Sequence, residues 1–130
     1  MIRPSKSAGM SQLQALAEYI DQGGNSATLC FYKDSKPSSP NILANNSEKL
    51  ITIPLLKPCL KSVDDSSIEL KPTETAMVMQ TGTAIWARLF NGNNETVADF
   101  SVGSDVILDN ADWAEGGTQK IDSIIFRLAE

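Results

Sequence analysis

The strongest constraint on this chain lies between Thr81 and Gly103, TGTAIWARLFNGNNETVADFSVG. Two runs of strand-forming residues flank Gly92-Asn93-Asn94, residue types that tolerate the positive φ angles of tight hairpin turns. In the first run Ala84, Trp86, Arg88 and Phe90 alternate with Ile85, Ala87 and Leu89, so both faces are largely apolar. Successive side chains of a strand point to opposite faces, and a run apolar on both belongs inside a sheet, covered from both sides. Thr96 to Val102 alternates more plainly, with Ala98, Phe100 and Val102 against Asp99 and Ser101. The hairpin is therefore expected at the centre of an antiparallel sheet.

The rest of the chain fits around it. Pro4, two serines and Gly9 make residues 1–9 read as an extended arm. Ser11 has the form of a helix N-cap with Gln14 as its capping-box partner, and Met10, Leu13, Leu16, Ala17 and Ile20 form one apolar stripe. The spacing predicts a helix over 11–22, ending at Gly23-Gly24. Ala27 to Lys33 reads as a strand, Asp34 to Lys49 as a long polar loop interrupted by Ile42-Leu43-Ala44, and Leu50 to Leu56 as a strand in which Pro54 marks an edge position or a strand end. A turn at Asp64-Asp65, strands at Ile68–Lys71, Ala76–Gln80 and Asp105–Asp109, and a closing strand over Gln119–Leu128 complete the pattern. Turn signals at this frequency predict a mostly β chain: one domain over residues 10–130, an antiparallel β-sandwich or jelly-roll-like fold with one N-terminal α-helix. Trp86, Phe90, Phe100 and Phe126 are its expected core anchors.

Composition narrows the chemistry. The 130 residues include no histidine, which removes imidazole acid–base catalysis, serine triads, Cys-His nucleophiles and nearly every common zinc site. Cys30 and Cys59 sit among apolar neighbours and are expected as buried, reduced thiols. A net charge of −5 with scattered lysines and arginines argues against nucleic acid as a partner. No apolar run approaches the length of a membrane-spanning helix, and MIRPSKSAGM lacks the apolar centre of a signal peptide, so a cytoplasmic place of synthesis is expected. Asp99, Asp105, Asp109, Asp112 and Glu115 could be imagined around calcium, but their spacing is not that of an EF-hand loop. No carboxylate pair is set apart for hydrolysis, and neither metal nor cofactor is expected. Trp113 differs from Trp86 in following Asp109-Asn110-Ala111-Asp112, a polar turn, so Trp113, Asp109, Asn110 and Asp112 form a candidate contact surface for a ligand or a protein.

The segments LQALAEYIDQGGNSATLCFYK, TGTAIWARLF, ADFSVGSDVILDN and KIDSIIFRLA, in this order, resemble small proteins encoded in tailed-bacteriophage and prophage genomes. Those proteins have a helix with a glycine turn and an LRFY strand, then GTATWARF, DGSVG with DLNL, and a final ITSLTIT strand. The resemblance runs from about Met10 to Leu128 and contains no catalytic signature. It implies a virion structural protein, assembled in the host cytoplasm: a head decoration protein or an accessory subunit of the tail or its tip, homo-oligomeric in the particle and in contact with other capsid or tail subunits. The chain departs from that pattern at Asp34–Lys49 and around Ser104, where the relatives have a longer loop. The arm 1–9 and the loop Asp34–Lys49 are the candidate inter-subunit segments. The alternative is a carbohydrate-binding or host-recognition module of the virion, working through Trp113 and its polar neighbours.

Overall fold

The computed structural model describes residues 5–64, 67–104, 106, 108–122 and 124–127. In chain order they form α1 (Lys6–Ile20), β1 (Thr28–Tyr32), a 3-10 turn (Asn46–Glu48), β2 (Lys49–Pro54), β3 (Leu60–Val63), β4 (Ser67–Leu70) and β5 (Ala76–Met77). β6 (Gly82–Thr83), β7 (Trp86–Phe90), β8 (Thr96–Ser101), β9 (Asp112–Trp113), β10 (Thr118–Gln119) and β11 (Ile124–Arg127) follow. The fold is mostly β, antiparallel and sandwich-like, with the one helix at its N-terminal end.

The hairpin β7–β8 belongs to a four-stranded sheet in the order β2-β1-β7-β8, so it lies at one end of the sheet and not at its centre as expected: β7 is interior, while β8 and β2, which ends at Pro54, are the two edge strands. Cross-strand register explains why both faces of β7 are apolar. Leu29 pairs with Ile53 and Leu89, and Phe31 with Ile51 and Ala87, which puts these six side chains on one face. They share the main core with Ile68 and Leu70 of β4, Ile124 of β11, and Leu13, Ala17 and Ile20 of α1. β4 is the middle strand of the second sheet, β11-β4-β3. The opposite face of the large sheet has its own cluster of Cys30, Tyr32 and Trp86, with Phe90 and Ala44 packed against it.

The hairpin turn is built by Asn91. Its side-chain oxygen accepts from the N–H of Asn93 (3.0 Å) and of Glu95 (2.9 Å), and Asn94 takes the positive φ of 65°. Gly92 is required by its surroundings: a Cβ there would collide with the backbone oxygens of Asn25 and Gln22, just beyond the helix. The turn thereby abuts the segment that leaves α1.

Several boundaries differ from expectation: the helix ends at Ile20 and not Gln22, β5 stops at Met77 short of Gln80, and β3 was not expected. The helix starts at Lys6, not Ser11, because Ser5 is the N-cap: its hydroxyl oxygen accepts from the N–H of Ala8 (3.2 Å), and the N–H of Gly9 donates to the Ser5 carbonyl (2.8 Å). Residues 6–9 of the expected arm are thus its first turn, and Gly9 is buried. A second capping hydroxyl one and a half turns upstream adds backbone hydrogen bonds to the helix, which is why it wins over Ser11. The expected closing strand divides into β10, paired with β5, and β11, paired with β4, with Ile121 turned into the core between them. Of the strand expected at Asp105–Asp109, Val106 makes an isolated bridge to Val102, and residues 105 and 107 lie outside the described residues, as does Leu128.

Candidate functional site

On the outer face of the large sheet the register lines up Thr52, Cys30, Arg88 and Asp99 in one row and Tyr32, Trp86 and Ser101 in the next. Arg88 is 2% exposed and the Asp99 side chain 6%. A buried guanidinium is tolerable only when its donors are matched, and here they are. Nε and Nη2 of Arg88 donate to the two carboxylate oxygens of Asp99 at 2.6 and 3.0 Å, the two-pronged geometry in which this pair is strongest. Nη1 donates to the Ile42 carbonyl at 2.6 Å and Nη2 also to that of Ser39 at 3.5 Å. The bond to Asp99 holds the guanidinium firmly ionised, outweighing the burial that opposes the charge.

Aromatic side chains complete the arrangement. The Trp86 ring stacks on Tyr32 with centroids 4.4 Å apart, and the Arg88 guanidinium carbon lies 5.2 Å from the Trp86 ring centre. The indole N–H donates to Asp34 at 2.9 Å. Burial, with the nearby Cys30 adding to it, pushes the Tyr32 hydroxyl well above the usual phenol range, so it stays neutral.

These contacts decide the fate of the polar loop. Asp34, Ser39, Ile42 and Ala44 are all held on the sheet, and Gln80 fastens the far end by donating to the carbonyls of Ser47 and Lys49, both at 2.8 Å. Segment 34–45 is a strap across the outer face, with Ile42 partly exposed and Leu43 92% exposed. The guanidinium donates to protein oxygens on each of its three nitrogens, so chemically it is a fastener. The Arg88–Asp99 pair was not read from the sequence: a register centred on the Gly92–Asn94 turn sets Arg88 opposite Ala98, and only the bulge between the Phe90–Thr96 and Leu89–Ala98 pairs shifts Asp99 into place.

The contact surface expected around Trp113 is corrected by the structure. Trp113 is 3% exposed; its ring meets Phe31 edge-on at 5.1 Å, and its N–H donates to the Asn110 carbonyl at 2.7 Å. The Asn110 side chain accepts from the N–H of Asp112 (2.9 Å), a turn whose local bonds aim the indole inward although its flanks are polar. No face of the indole is left open for a sugar. Asp109, Asn110 and Asp112 are exposed, and Asp112 accepts from the Thr83 hydroxyl at 2.6 Å. Trp86 is fully buried in the outer cluster, whereas Phe90, Phe100 and Phe126 are half-buried; Phe100 and Phe126 meet at 5.8 Å, and each packs against the main core.

Cys30 and Cys59 are both buried and free. Cys59 is gripped by the end of α1: the Asp21 carboxylate accepts its N–H at 3.0 and 3.2 Å, and its thiol lies 3.7 Å from the Ala17 carbonyl. Burial, reinforced by the Asp21 charge, pushes this thiol up to about 12. Among the described residues, every buried side-chain nitrogen and oxygen has a hydrogen-bond partner, and no three His, Cys, Asp or Glu residues converge on a possible metal position. None of the described helices is long and apolar enough to cross a membrane. Comparison with protein-family models, with curated proteins and with solved structures finds no match for this chain.

Proposed function

We propose that this chain is a non-enzymatic structural subunit of a tailed-phage virion, a head decoration protein or an accessory protein of the tail or its tip. In the particle it is present in many copies and binds neighbouring capsid or tail subunits. The observation that supports this best is the strap. A buried ion pair and a buried indole hold an irregular segment rigid while its aliphatic tip points into solvent. Exposed apolar side chains on a preorganised backbone are what a protein-binding surface needs, because little ordering entropy remains to be lost on contact. The resemblance of TGTAIWARLF and its companion segments to phage proteins points the same way.

The test is quantitative mass spectrometry of purified particles from a phage or induced prophage that encodes the chain. The expected result is co-purification with the capsid through a density gradient at a fixed, multiple copy number. Protein left wholly in the lysate supernatant would sink the proposal.

A further inference from the structure

The hairpin turn meets two structural demands with a chemically labile pair of residues. Position 91 must supply an oxygen to the N–H groups of Asn93 and Glu95 and a donor to the Glu95 carboxylate, which Nδ2 of Asn91 meets at 3.1 Å. An amide does both, whereas aspartate accepts but does not donate. Position 92 must be glycine, because the backbone oxygens of Asn25 and Gln22 fill the space of a Cβ. Together these demands place Asn91 before Gly92, and Asn91 is the one asparagine of the chain that glycine follows. In an open chain that pair is the most labile of the asparagine dipeptides, since glycine has no side chain to hinder its nitrogen and its backbone turns freely. The Gly92 nitrogen gives up its proton and bonds to Cγ of Asn91, while the Cγ–Nδ2 bond breaks and the amide nitrogen leaves as ammonia. Water then opens the cyclic imide at either carbonyl, giving aspartate or an isoaspartate whose main chain runs through Cβ and Cγ and is longer by a carbon.

The folded turn opposes each of these movements. Asn91 is 2% exposed and Gly92 is buried, although Asn93, Asn94 and Glu95 beside them are exposed. Besides its three side-chain bonds, Asn91 donates its N–H to the Glu95 carbonyl and accepts at its own carbonyl from the Asn94 N–H, both at 2.9 Å. Every polar atom of Asn91 is thus engaged. Forming the imide requires the side chain to leave these partners and the Gly92 peptide to turn where it is packed against the backbone of Gln22 and Asn25. Neither product rebuilds the turn as it was. Aspartate sets a second carboxylate against Glu95 where a donor stood, and isoaspartate lengthens the main chain where Gly92 has no room.

We infer that Asn91 and Gly92 form a modification site closed by folding: the native turn preserves the amide, and a chain left open is deamidated there and regains only a weakened turn. This is a property of the single chain and does not rest on its place in a particle. A reaction confined to the open form runs at the open-chain rate multiplied by the open fraction, so the hairpin's own stability sets how long the amide lasts.

The experiment ages the full chain at mildly alkaline pH, in buffer and in guanidinium chloride sufficient to unfold it. Mass spectrometry follows the peptide containing Asn91, with Asn46 and Ser47, exposed in the fold, as the reference pair. Conversion at Asn91 should be at least about a hundredfold slower in the folded chain, whereas the two rates at Asn46 should lie within about tenfold of each other. Glu95→Ala removes the acceptor of the Asn91 amide and should speed conversion in the folded chain by roughly fivefold at an unchanged rate in denaturant. Glu95→Gln keeps an acceptor oxygen and should restore the protection. Chains aged in denaturant and returned to buffer are finally exposed to a brief pulse of protease in intermediate denaturant, which should digest the deamidated chains ahead of the intact ones. Comparable rates at Asn91 in the two solvents, a Glu95→Ala chain as well protected as the wild type, or deamidated and intact chains digested alike would each overturn the inference.

Discussion

At the scale of single residues, Arg88 makes the sharpest demand, because its burial is tolerable only with Asp99 in place. Asp99→Ala would leave a charged guanidinium unpaired in the interior and should cost about 3–5 kcal/mol in urea denaturation. Replacing both, Arg88→Met with Asp99→Leu, should recover most of that loss, since apolar groups of similar volume often substitute well for a buried pair. The double variant should still have lost the strap's fastening, and subtilisin should cut it within 34–45 while the sheet survives. A double variant as unstable as the single one would show that the ion pair itself, and not the avoidance of an unpaired charge, stabilises the fold. The second residue-scale prediction concerns alkaline pH. Cys59 is raised from its ordinary 9.0 to about 12, so between those values the folded chain keeps a proton that the unfolded chain releases. Stability is therefore constant through this group below pH 9 and falls as pH rises toward 12, by up to about 1.4 kcal/mol per pH unit. Tyr32, raised from 10.0, acts in the same direction above that pH. Cys59→Ala should remove the part of the slope that begins near 9, as read from denaturation midpoints along a pH series.

At the scale of elements, α1 is docked by Leu13, Ala17 and Ile20, which the apolar stripe in the sequence already identified. Leu13→Ala and Ile20→Ala should each cost about 2–4 kcal/mol, and losses below about 0.5 kcal/mol in both would show the face to be undocked. The start of the helix was less legible, because Ser5 and Ser11 are equally good caps and Gly9 disguised the turn between them as an arm. Removing residues 1–9 thus deletes the cap and the first turn, and the melting temperature should fall, whereas an unchanged value would mean that this turn contributes nothing. Alternation identified the hairpin, its interior strand and the edge position of the strand ending at Pro54, but not that β8, half-buried along its whole length, forms the other edge of the sheet. What local pattern could not show was pairing over long sequence separation. The strap looked free because its residues are polar, and its attachment depends on Trp86 and Arg88 reaching it from β7, some fifty residues away. Trp113 looked exposed for the converse reason: its neighbours are polar, but the Asn110 turn directs it onto Phe31.

At the scale of the whole molecule, the proposed role requires fold and assembly to depend on different residues, and the buried anchors and the exposed strap tip are distinct side chains. Trp86 anchors the outer cluster, stacked on Tyr32 and bonded to the strap, and truncating it to alanine should cost about 3–5 kcal/mol, a large part of the roughly 5–15 kcal/mol that holds a domain folded. Leu43 stands at the far end of the same arrangement, 92% exposed, and its replacement by aspartate removes nothing from either core. Trp86→Ala should therefore be depleted from particles together with a clearly lowered melting temperature, and Leu43→Asp should be depleted from them while keeping the melting temperature and circular dichroism spectrum of the wild type. The measurement is copy number per capsid after each variant replaces the wild-type gene product, alongside thermal denaturation of the purified chains. Full incorporation of Leu43→Asp would remove the strap tip from assembly. Depletion matched by a lowered melting temperature would reduce the effect to stability, since marginal folds lose abundance for a loss of one or two kcal/mol. Depletion at unchanged stability leaves one physical reading: an apolar side chain held out by a buried cation is covered only when the next subunit arrives.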